Sequence, residues 1–100
     1  MPVRFQFKPV TIPPGTGRRN ITESHTFPSR VLRAGVALNG YKFDYLDSDH
    51  HINVVEADTD LVSTTDSTVK FNVQCQYADK NFDDRYEGVV QVLIIADTAA

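Results

Sequence analysis

Two β-patterns in the last third of the chain limit its fold more than any other feature. Val69-Lys70-Phe71-Asn72-Val73-Gln74-Cys75-Gln76-Tyr77 alternates apolar and polar without a break, as a strand with one buried face must. Val89-Val90-Gln91-Val92-Leu93-Ile94-Ile95-Ala96 is almost solidly apolar, which predicts a central strand covered on both faces. A polar, acidic connection, Ala78 to Gly88, joins them. Strands linked in this way predict an antiparallel sandwich or barrel.

The rest of the chain extends the same pattern. Val3, Phe5 and Phe7 alternate with Arg4, Gln6 and Lys8, a first strand that Pro9 stops or confines to an edge. Thr11 to Gly17, with two prolines and two glycines, has the composition of a loop. Arg18 to Phe27 has few apolar anchors and suits an edge, and Pro28 ends it. Arg30 to Tyr45 is the longest extended stretch. Its apolar side chains fall on even positions through Leu38 and on odd ones from Tyr41. A one-residue slip would turn every later side chain to the wrong face, so Asn39-Gly40 marks a bulge or a tight turn, with a bulge favoured. Leu46 to His50 reads as a turn before a strand through Ile52, Val54 and Glu56. Ala57 to Asp60 reads as a further turn or kink, and Ser63 to Thr68 as a hydroxyl-rich hairpin loop. No segment holds a helical period. The expectation is an all-β, single-domain antiparallel β-sandwich of six to eight strands over residues 1–100, with 1–20 contributing a strand and a Pro/Gly-rich arm.

Size and charge restrict the partners. A chain of 100 residues buries roughly two thirds of its unfolded surface on folding and needs no staples. Its one cysteine, Cys75, excludes an internal disulfide framework and belongs to the inward row with Val73 and Tyr77, where an inert thiol is expected. No charged-then-apolar leader opens the sequence and no apolar run reaches the roughly twenty residues of a membrane-spanning helix. Cytoplasmic synthesis is therefore expected, with release or incorporation into a particle left open. Residues 1–42 hold seven basic side chains and one acid. Residues 43–100 hold three basic side chains and twelve acids, so charges of +6 and −9 make up the net −3. If the halves formed separate faces, identical subunits could meet basic to acidic in a ring or stack; otherwise the surface is a solvated mixture. Nucleic acid is disfavoured, because the basic residues are dispersed and the dense block is acidic.

Two clusters carry the residue types of a binding site. In Asp47-Ser48-Asp49-His50-His51, the residues Asp47, Asp49 and His51 share one face of an extended backbone. They could contact a ligand, or the aspartates could satisfy backbone donors in a turn while His50 caps the following strand. A metal would require a further ligand held by regular spacing, and none is visible. In the second cluster, Asp83, Asp84, Arg85 and Tyr86 offer planar acceptors, a forked donor and an aromatic ring. Hydroxyl pairs and the apolar face of a sugar call for that set, though ordinary loops also contain it. The adjacent Asp83-Asp84 does not fit the alternating ligands of a calcium loop. His25 has no catalytic partner, Ser24 beside it points to the other strand face, and no acid–base pair stands out. No catalytic residue, metal or cofactor is expected.

From about Thr26 onward the order of elements resembles the H-type lectin family. The resemblance rests on Phe27-Pro28 leading into Val36-Ala37-Leu38-Asn39-Gly40, then His51-Ile52-Asn53-Val54, the alternating Val69–Tyr77 strand and the closing Val92-Leu93-Ile94-Ile95-Ala96. The chain has no tryptophan and no cysteine pair. The resemblance implies a small sandwich that forms a trimer or hexamer and binds carbohydrate near subunit junctions without enzymatic activity. Asp47, Asp49, His50, His51, Asp83, Asp84, Arg85 and Tyr86 are then the expected contacts. The alternative is a decoration or tail-associated subunit of a virus-like or phage-like particle.

Overall fold

The computed structural model describes residues 2–46, 52, 54–78 and 84–99. Six strands run in chain order: β1 (Val3–Gly15), β2 (Arg19–Thr26), β3 (Val31–Tyr45), β4 (Val54–Thr65), β5 (Thr68–Ala78) and β6 (Tyr86–Thr98). They form two antiparallel sheets of three, one ordered β1-β6-β3 and the other β2-β5-β4. The two strands with the plainest patterns, β5 and β6, take the two central places. A central strand has ladder partners on both sides, so its backbone groups are fully satisfied, and its inner row is the most deeply buried. The result is a narrow sandwich, 51 × 17 × 17 Å.

The core lies between the sheets. From β5 come Val69, Phe71, Val73 and Cys75, and from β6 come Tyr86, Val90, Val92, Ile94 and Ala96, all fully buried. Val10 and Ile12 of β1, Phe27, Val31 and Phe43 close around them. Each valine, isoleucine and phenylalanine among them contributes roughly 1.5–3 kcal/mol on leaving water. The Cys75 thiol is free and buried, and burial pushes it up from its ordinary range, as an inert core thiol should be.

Several expectations from the sequence need correction. Strand β1 does not end at Pro9; of the two outcomes open there the edge position holds, and the strand pairs with β6 from Val3 to Gly15, through most of the segment whose composition suggested a loop. It is an edge strand, where a missing N–H facing solvent does no harm, and Pro13-Pro14 lie in the register shift between Ile12 and Gly15. Ala57 to Asp60 is neither turn nor kink. Ala57 and Thr59 stand opposite the inward-facing Cys75 and Val73, while Asp58 and Asp60 are exposed, so the segment continues as regular strand. The shift in β4 comes later, between Leu61 and Ser63. The hydroxyl-rich loop narrows to Asp66-Ser67, because Thr65 and Thr68 still pair; Asp66 takes φ 52°, the left-handed conformation of a tight turn. The bulge at Asn39 is present, between Leu38 and Gly40. A second shift, at Leu32, has no mark in the sequence.

Strand β6 is central but covered on one face only. Its even row is buried, whereas on the other side Ile95 remains 36% exposed. The division of charge is partly cancelled within the chain: Arg18 pairs with Glu56 at 2.9 Å, Arg33 with Asp97 at 3.2 Å and Lys42 with Asp44 at 3.8 Å. Basic residues of the first half thus sit beside acids of the second on the same solvated surface.

Candidate ligand-binding loops

Antiparallel pairing brings the last residues of β1 (Gly15), β3 (Tyr45) and β5 (Ala78) and the first of β2, β4 and β6 to one end of the sandwich. The last rung of the first sheet is Gly15–Tyr86–Tyr45. Just beyond it, the Leu46 N–H donates to the Arg85 carbonyl at 3.1 Å. The chain leaving β3 and the chain entering β6 are therefore tied together.

Aromatic rings fill this end of the sandwich. Tyr45 and Tyr77 lie 4.5 Å apart, Phe43 and Tyr77 5.7 Å, and Tyr86 meets Phe43 edge-on at 5.9 Å. Such pairings suit the ring quadrupole and hold the end of the sandwich rigid. Tyr86 is wholly buried. Its hydroxyl donates to the Gly17 carbonyl at 2.7 Å and lies 3.9 Å from the Cys75 sulfur. Burial first, and Cys75 next, push the phenol far above its ordinary value, so it stays neutral. Arg19 covers the ring at 5.6 Å and donates to the Pro13 carbonyl at 2.6 Å.

Of the expected contacts, Asp84 is half-buried and Arg85 is exposed. Tyr86 must be reassigned, since a ring with no accessible surface offers no face to a sugar. It is the anchor on which the connection from β1 to β2 rests. Asp47, Asp49, His50, His51 and Asp83 lie outside the described residues. Sequence reasoning passed over Tyr45 and Tyr77, the half-buried rings of this end. Tyr45 was visible as the last member of the odd row Tyr41, Phe43, Tyr45, and Tyr77 as the last of the β5 alternation. Among the described residues no group of three His, Cys, Asp or Glu side chains could hold a metal ion, and no helix is long and apolar enough to cross a membrane. Comparison with protein-family models, with curated proteins and with solved structures found no match.

Proposed function

We propose that this protein is a non-enzymatic carbohydrate-recognition module that works as a homo-oligomer. The observation that supports the ligand half is the Leu46–Arg85 hydrogen bond, which ties the residue before Asp47 to the backbone of Arg85. The Arg85 guanidinium would supply a forked donor, the carboxylates planar acceptors, and the Tyr45–Tyr77 pair ring surface in place of Tyr86. The resemblance of the sequence to H-type lectins favours the same reading. A glycan array followed by titration calorimetry tests it. Binding of a saccharide that is lost in Arg85→Ala is expected; no heat with any saccharide at millimolar concentration would remove the proposal.

A second reading, a structural subunit of a particle or filament, draws on a different observation. The outward side chains of β1 leave an apolar column in solvent: Val3, Phe5 and Phe7 are 56%, 62% and 58% exposed. Native mass measurement of the protein at rising concentration tests it, with growth beyond a small closed oligomer expected for a particle or filament subunit.

A further inference from the structure

The apolar row of β1 changes sides along the strand. Val3, Phe5 and Phe7 are odd; Val10 and Ile12 are even. A bulge would reconcile the two, as in β3, but pairing with β6 is unbroken from Val3–Asp97 to Ile12–Gly88. Phe5 and Phe7 therefore share a face with their partners Ile95 and Leu93, opposite the face of the buried Val90, Val92 and Ile94. Arg4, on the inner side, reaches Thr98 Oγ1 at 3.3 Å, consistent with that placement. The second sheet is built differently. Its outer face presents Thr22, Ser24, Asn72, Gln74, Asp58 and Asp60, a surface made for water. The outer face of the first sheet is apolar around Val3, Phe5, Phe7, Leu93 and Ile95 and polar toward its other end, at Gln91, Lys42, Asp44 and Glu87, so its apolar half is a contact side.

We propose that the apolar half of the outer face of the β1-β6-β3 sheet is the self-association surface, and that its occupant is the same patch of another copy of this chain. This deepens the oligomeric half of the proposed function and does not depend on the ligand. The face is uneven in a way that fits itself. Rungs run Phe5–Ile95–Gly35 and Phe7–Leu93–Ala37, with phenylalanines along one edge and the smallest side chains along the other. A recess of about 290 Å³ lies over Val3, Arg33, Gly35, Ile95 and Asp97. A symmetry axis parallel to the strands keeps each rung level and exchanges the edges, so Phe5 of one copy enters the Gly35 lane of the next. An axis across the strands would set phenylalanine against phenylalanine. At their exposures Val3, Phe5, Phe7 and Ile95 leave on the order of 350 Å² of apolar surface per copy. Two copies would cover about 700 Å² from these side chains alone, nearly half of a standard interface, with the rim supplying the rest. That rim includes Arg33, whose side chain is 83% exposed beside Asp97.

Sedimentation velocity over a wide concentration range tests this with three proteins: the wild type, Phe5→Ser/Phe7→Ser and Gly35→Lys. A Cβ added at Gly35 meets nothing within 4 Å and its φ is not positive, so Gly35→Lys leaves the subunit intact while filling the lane. The expected result is an oligomeric wild type and a rise in the dissociation constant of roughly 100-fold in both variants, with Gly35→Lys keeping the unfolding cooperativity of the subunit. A wild type that stays a single chain at every concentration would overturn this proposal together with the oligomeric reading. A wild-type oligomer that both variants reproduce would overturn the face assignment alone.

Discussion

Replacing Tyr86 by phenylalanine separates its assigned role from that of a ligand contact. The ring, fully buried against Phe43 and Tyr77, is kept. What is lost is one hydroxyl, whose proton goes to the Gly17 carbonyl at 2.7 Å. A net hydrogen bond contributes about 0.5–1.5 kcal/mol, and a buried partner left unsatisfied costs about 1–3 kcal/mol. Gly17 sits in an exposed connection where water can replace part of the bond, so a loss of about 1–2 kcal/mol is expected. For a domain of this size that lowers Tm by roughly 5–15 °C. Tyr86→Ala would also empty the ring's space and cost about 3–5 kcal/mol. Urea denaturation followed by circular dichroism reads both, with an unchanged m-value showing that only stability has moved. A Tyr86→Phe protein as stable as wild type would refute the anchoring argument, and more so if it had lost saccharide binding.

Three further outcomes follow from the fold. Gly88→Ala places a methyl against the Lys42 carbonyl oxygen and the Phe43 ring; β3 must move, and chemical denaturation should show a loss of about 1–3 kcal/mol. Asp66→Gly relieves a left-handed residue at φ 52° and should raise stability by up to about 1 kcal/mol in the same assay. Burial, and then Lys8, hold the His25 imidazole below its ordinary 6.5. The unfolded chain therefore binds this proton more readily, and stability must fall as pH drops through 6.5 and below. His25→Gln should flatten that part of the Tm–pH curve, and an unchanged slope would show that other groups set it.

What the sequence revealed follows physical lines. Strands β5 and β6 were plain because a central strand must satisfy one strict pattern along its whole length. The bulge at Asn39 was legible because a change of phase within an extended run leaves few other outcomes. Edge strands obey weaker rules. Pro9 allowed either a strand end or an edge, and Pro13 and Pro14 read as loop, since nothing local reveals that β1 borders solvent along its whole length. Asp58 and Asp60 look like turn residues, yet their spacing of two matches an exposed strand face equally well. Tyr86 was misplaced by its acidic neighbours, although it opens the even row that continues through Val90, Val92 and Ile94. The change of phase within β1 was also on view, but only its unbroken pairing with β6 turns it into an outward-facing apolar column. Of the candidate site, the residue types were readable; that Tyr86 lies in the core depended on topology.

Amide hydrogen exchange resolved along the chain bears most directly on the layered architecture. Slowest exchange is expected at Val90–Ile94 and Phe71–Cys75, where β6 and β5 have partners on both sides, with β2 and the second half of β4 exchanging sooner. Rapid labelling of β5 or β6, at the rate of β2, would contradict a sandwich built around these two strands.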